Sequence, residues 1–207
     1  MFLKTKVKAD SITNLTDARY FAAAGVEWIG FSLTSGMSIE DIQAIIEWLD
    51  GVKIVLEISG ELTTSDYEAI ETIHPDFIQV DIHCNLENIH EPIPVIKKID
   101  PSKMDMKSLT TLLEENVDSC DGFVIDLALY SWDDLLDNNP ISPEDLNKII
   151  KGYSCLLKLS FTGEDINKII NRLQPDGICL EGSSEEKVGY KSFESLDELL
   201  EILTIDE

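Results

Sequence analysis

Positive charge is what this sequence has least of. Its 207 residues include 16 lysines and arginines against 40 aspartates and glutamates, a formal net charge of −24. A surface of that sign repels nucleic acid and anionic membrane, so neither is expected as a partner. Histidine is scarce, and His83 and Cys84 stand side by side rather than at the spacing of a zinc site. The four cysteines form no CxxC pair, and Cys155 and Cys179 sit in apolar runs, the usual setting of buried thiols in a reducing compartment. No apolar run reaches the roughly 18 residues that a membrane span needs. Met1-Phe2-Leu3-Lys4 leads directly into strand-like sequence, without the apolar stretch of a secretory leader. The expectation is a cytoplasmic protein. No Gly/Ser/Pro-rich linker divides the chain, so residues 1–207 read as a single domain.

What is present is an alternation. Lys6-Val7-Lys8-Ala9 has the period-2 pattern of a strand with two unlike faces, and Asp10-Ser11 ends it before Asn14 or Thr13 caps a helix over Leu15–Ala24. Further strands are expected at Glu27–Ser32, Val52–Ile58, Phe77–Val80, Pro94–Ile99, Gly122–Ile125, Cys155–Leu159 and Gly177–Leu180. Between them come helical stretches: Ile39–Leu49 opened by Ser38 and Asp41, one capped by Ser65 and broken by Pro75, and a weak turn over Leu86–His90. Others follow at Ser108–Asn116, from Ser142-Pro143-Glu144, at Gly163–Leu173 and at Leu196–Leu203. Residues between the sixth strand and Ser142 read as a long acidic loop. Eight strands each followed by helix predict an α/β fold, a (β/α)8 TIM barrel. The competing open doubly wound sheet announces itself by a glycine-rich first turn, and Asp10-Ser11-Ile12-Thr13 has no glycine.

Lys8-Ala9-Asp10-Ser11-Ile12-Thr13-Asn14, followed by Asp17-Ala18, resembles the Lys-Ile-Cys-Gly-Ile-Thr-Asn…Asp-Ala signature of the phosphoribosylanthranilate isomerase family. The resemblance continues at Ala23-Ala24-Gly25-Val26, Gly30-Phe31, Pro75-Asp76-Phe77-Ile78-Gln79, Asp121 to Asp126 and Pro175-Asp176-Gly177-Ile178. It implies an Amadori-type aldose–ketose isomerisation of a phosphoribosylated amine, a step of tryptophan biosynthesis. No cofactor is implied, and the partners would be a small, possibly phosphorylated substrate and at most a second copy of the chain. Asp126 falls on the family's general acid. Asp10 falls on its general base, which is a cysteine there; a related barrel isomerase of histidine biosynthesis uses two aspartates for the same rearrangement. Substrate contacts are implied at Gln79 and Asp81 on the fourth strand, and at Ser160, Thr162, Gly182 and Ser183 in the loops that cradle phosphate.

The chain also departs from that family. Thr34-Ser35-Gly36-Met37-Ser38 holds no arginine for the anthranilate carboxylate, the fourth strand reads Gln79-Val80-Asp81-Ile82, and Glu181 stands beside the cradle. Two other readings are therefore carried forward. One is a diverged paralogue that keeps the barrel without this activity, as a binding or regulatory protein or an enzyme for another small substrate. The other is a metal-dependent lyase or aldolase using the acidic rim, Asp10, Asp126 and Asp81 with Asp133, Asp134 and Asp137 of the sixth loop, as hard oxygen ligands, although the spacing matches no metal motif and no metal is assigned. If Lys8 or Lys158 reaches the barrel mouth, it supplies the local positive charge that an anionic substrate requires.

Overall fold

The computed structural model describes residues 2–87, 89, 92–182, 185–187, 190–191 and 193–205. Eight parallel strands close into a barrel in sequence order: β1 Lys6–Asp10, β2 Trp28–Ser32, β3 Lys53–Glu57, β4 Phe77–Asp81, β5 Val95–Ile99, β6 Gly122–Leu127, β7 Cys155–Leu159 and β8 Gly177–Glu181. β8 closes onto β1 in a five-residue register from Lys6 with Gly177 to Asp10 with Glu181. The helices are α1 Leu15–Ala23, α2 Ile39–Ile46, α3 Thr64–Ile73, α4 Met106–Asn116, α5 Trp132–Leu136, α6 Pro143–Gly152, α7 Ile166–Leu173 and α8 Glu194–Leu203. The expected (β/α)8 barrel is the architecture found. A short hairpin, β9 Glu185–Lys187 with β10 Tyr190–Lys191, separates β8 from α8.

Local chemistry explains most helix starts. The Asn14 side chain accepts from the Asp17 backbone N–H at 2.9 Å, and Ser38 forms a reciprocal capping box with Asp41. α3 is capped by Thr63 rather than Ser65, because Asp66 completes the box three residues on from Thr63. The stretch read as an acidic loop contains α5, opened by a Ser131–Asp134 box that fixes an amphipathic turn with Trp132 and Leu135 buried. β4 is not followed by a helix among the described residues, so the strict alternation fails once there. The helical turn expected over Leu86–His90 falls partly outside the described residues.

The strands bury two faces of opposite character. Outward-facing Val7, Ala9, Ile29, Phe31 and Ile178 pack on α1, α2 and α8 in one cluster. Ile99, Phe123, Ile125, Leu157 and Leu159 pack on α4 to α7 in another, and Leu56, Ile78 and Val80 pack on α3 in a third. Inside the barrel the floor is apolar: Trp28, Val55, Ile96, Val124, Leu156 and Cys179 come from six different strands and touch one another. Above that floor the interior turns ionic.

Aspartates at the starts of alternate strands tie the lower rim. Asp76 accepts from the Ile54 N–H at 2.7 Å, Asp121 from Val95 N–H at 2.8 Å and Asp176 from Cys155 N–H at 3.1 Å. Each of these three carboxylates, ahead of β4, β6 and β8, satisfies a backbone donor of the preceding strand.

Gly30 in β2 is required by crowding in the lumen. A Cβ there would stand 1.8 Å from Glu57 Oε1 and 2.8 Å from Lys8 Nζ. Gly30→Ala is expected to destabilise the chain by about 1–3 kcal/mol through this overpacking, measured as a lower urea midpoint at unchanged slope.

Candidate active site

The upper half of the lumen is a chain of alternating charges. Lys8 is fully buried; its ammonium bonds Asp10 Oδ1 and lies 2.5 Å from Glu57 Oε1. Asp10, 2 % exposed, uses its second oxygen on Lys158 Nζ at 2.9 Å, and Lys158 continues to Glu181 Oε1 at 2.7 Å on the rim. Glu57 Oε2 also receives the Ser11 backbone N–H at 3.1 Å and its hydroxyl at 2.9 Å. Those bonds hold Ser11 at φ +52°, where a non-glycine residue is uncommon. The first βα turn is therefore pinned by a carboxylate from β3.

These contacts set the protonation states. Burial would push the Asp10 carboxyl up, but Lys8 and Lys158 outweigh it and hold Asp10 below the usual carboxylate range. Burial would likewise draw both ammonium groups down. Asp10 and Glu57 around Lys8, and Asp10 and Glu181 around Lys158, instead keep both above the ordinary lysine value. Cys179, buried beneath them, is driven well above the usual thiol value first by burial and then by Asp10, so it is no nucleophile at neutral pH. Charged lysines of this kind do not form Schiff bases, but they can stabilise an oxyanion.

The expected site residues separate into three groups. Asp10 and Asp126 both lie at C-terminal strand ends, the mouth face of such barrels. Asp126 is only partly buried, with one oxygen accepting from the Ala128 N–H at 3.2 Å, and it is the register partner of Lys158 on β7. On β4, Gln79 is buried and its Oε1 meets no hydrogen-bond donor among the described residues. Asp81 is occupied: Lys98 lies 3.3 Å from one oxygen, and the Gly60 N–H donates to the other at 2.7 Å.

The loop residues serve local structure. The exposed Ser160 donates its N–H to Tyr130 O at 3.0 Å, and the Thr162 hydroxyl donates to Asp165 Oδ2 at 3.0 Å, near the start of α7. Gly182 faces a carboxylate, since a Cβ on it would stand 2.5 Å from Asp17 Oδ2. Ser183 lies outside the described residues. Among the described residues no three His, Cys, Asp or Glu side chains are grouped to share a metal ion. Asp133 precedes Asp134 in α5, where the latter closes the helix cap, and Asp81 is paired with Lys98.

Sequence reasoning overlooked Glu57. The alternation Lys53-Ile54-Val55-Leu56-Glu57 places it on the same strand face as Val55 and could have signalled a lumen carboxylate awaiting a lysine.

No protein-family model matches the chain, and no curated protein sequence does. Solved structures match it along nearly all of its length. Against the monomeric form of the dimeric phosphoribosylanthranilate isomerase of Thermotoga maritima the TM-score is 0.72 at 18 % identity, covering 96 % of this chain and 98 % of that one. Phosphoribosylanthranilate isomerase from Thermococcus kodakaraensis gives 0.73 at 16 %, with the same coverage. The 3-hexulose-6-phosphate synthase of Salmonella typhimurium gives 0.64 at 14 %, again over 96 % and 98 %. The fold is that of phosphoribosylanthranilate isomerases and is shared with other barrel enzymes.

Proposed function

We propose that the barrel mouth catalyses proton transfer next to a carbonyl, an aldose–ketose isomerisation, on a small polar substrate that carries no phosphate. The observation that carries this reading is the adjacency of a partly exposed carboxylate, Asp126, and a permanently charged ammonium, Lys158, on neighbouring strands. Asp126 takes the proton from the carbon beside the carbonyl and returns it to the former carbonyl carbon, while the hydroxyl proton on the first carbon passes within the enediolate to the former carbonyl oxygen. Lys158 stabilises the oxyanion of the enediolate between the two steps. Gln79, whose buried Oε1 lacks a donor among the described residues, accepts a hydrogen bond from a substrate hydroxyl. Asp10 acts in this scheme by keeping Lys158 charged and oriented. Enclosed between two ammonium groups and held at a low pKa, it is a poor base.

The second reading is the specific reaction that the resemblance implies: isomerisation of a phosphoribosylated anthranilate, with Asp10 as base and Asp126 as acid. The full-length likeness in fold and the aspartate at the end of β6 speak for it. Against it stands the Asp17 carboxylate beside Gly182, with Glu181 nearby on the rim, where a phosphate dianion would have to sit.

Deuterium wash-in from solvent, followed by NMR on a panel of unphosphorylated hydroxyaldehydes and ketoses, tests the first reading. Exchange beside the carbonyl is expected, falling about 10²–10⁴-fold in Asp126→Asn. No exchange in any member of the panel, or exchange unaffected by that substitution, overturns it. Complementation of a strain lacking phosphoribosylanthranilate isomerase, lost in Asp126→Asn, would establish the second reading in its place; failure to complement is expected.

The ion network also has a pH signature. Asp10 has a lowered folded pKa, so its stabilisation is complete above about pH 4 and is lost as pH falls through the folded value. Lys8 and Lys158 have raised folded values, so their share is complete below about pH 10.4 and is lost only as pH rises further. Asp10→Asn is expected to cost about 3–5 kcal/mol at neutral pH by leaving two buried ammonium groups short of a counter-charge. That cost should shrink in urea titrations as the pH is taken below about 4. A penalty that stays constant through the acid range would show that the ionised carboxylate is not its source.

A further inference from the structure

The barrel has a concavity at the end opposite the mouth, with a volume of about 400 Å³, large enough for a small organic molecule. Its floor is apolar, formed by Trp28, Phe77, Ile96 and Leu156, with Trp28 and Phe77 edge to face at 6.3 Å. Its walls carry both signs of charge. Lys53 is neutralised by Glu27 at 2.7 Å. Lys6 is not: its ammonium lies 5.6 Å from the centre of the Trp28 ring and forms no ion pair among the described residues. Asp121, ahead of β6, and Asp176, directly ahead of the Lys6 register partner Gly177, each use Oδ2 on a backbone N–H, and no donor meets either Oδ1 among the described residues. The Trp28 indole N–H is closed off from solvent and meets no acceptor among the described residues.

From this combination we infer that the floor of the barrel binds a free α-amino acid with an apolar side chain. Its carboxylate would pair with Lys6, its ammonium with Asp121 or Asp176, and its side chain would lie on Trp28 and Phe77. A simple anion would meet two carboxylates there, and a simple cation would meet the unneutralised Lys6. A zwitterion satisfies both walls, and the aromatic floor selects an apolar side chain. The inference is independent of the reaction at the mouth, since it uses the lower ends of the strands.

Calorimetry and thermal melting of the whole chain with L-phenylalanine and L-leucine test it. Hydrocinnamate, which lacks the ammonium, and phenethylamine, which lacks the carboxylate, serve as controls. The amino acids are expected to bind and raise the melting temperature, with each truncated probe weaker by roughly tenfold or more. Lys6→Gln and Lys6→Glu alter an exposed side chain without an ion pair, so both should melt as the parent does without ligand and lose binding. Asp126→Asn at the mouth should bind unchanged. No binding of either amino acid up to about 10 mM, equal binding of a truncated probe, retained binding in both Lys6 variants, or loss of binding in Asp126→Asn would each overturn the proposal.

Discussion

A single ammonium group organises the interior of this barrel. Lys8 is closed off from solvent and is held by Asp10 and Glu57, so its position dictates where both carboxylates stand. A buried charge persists only when paired, and here the pairing extends outward through Lys158 to Glu181. The consequences reach the backbone. Glu57 fixes the first βα turn at Ser11, and the space its carboxylate occupies excludes any side chain at residue 30. The upper lumen is thus a continuous ionic lattice resting on an apolar floor.

That lattice decides what chemistry the mouth can offer. A carboxylate enclosed by two ammonium groups is ionised but weakly basic, and an ammonium flanked by two carboxylates is charged but not nucleophilic. In the proposed reaction, proton transfer falls to the group that stands outside the lattice yet next to it, Asp126. The negative rim, with Asp17 at Gly182 and Glu181 above Lys158, continues the sign of the whole molecule and disfavours a phosphate dianion. The same overall excess of carboxylates makes the few unneutralised cations informative, and Lys6 on the barrel floor is one of them.

The segments that carry the family resemblance turn out to serve the fold. Asp76, Asp121 and Asp176, each just ahead of a strand, bind backbone donors of the preceding strand and so set the register of the lower rim. The Asn14…Asp17 pair caps α1. By contrast, Ser160 and Thr162, expected in loops that cradle phosphate, make only local bonds.

Strand and helix periodicity was readable in the sequence because it is a local property. Alternation in Lys6–Asp10, the Ser38–Asp41 box and Pro143 after Ser142 each act within a few residues, and eight such units leave few topologies besides a barrel. The ends of helices were less legible where two caps competed, as at Thr63 and Ser65, and α5 was hidden because its acidic composition resembles that of a loop. Asp10 and Asp126 could be located at strand ends from the sequence, but their chemical states could not. Whether Asp10 is a base or a counter-ion depends on Lys8, Glu57 and Lys158. Glu57 and Lys158 lie 47 and 148 residues away along the chain; pairing of β1, β2 and β3 brings Glu57 to Lys8, and Lys158 reaches Asp10 only when β8 closes on β1. The sequence by itself determined the elements and their order. Closure of the barrel decided which charges meet, because ion pairing depends on distance through space rather than along the chain.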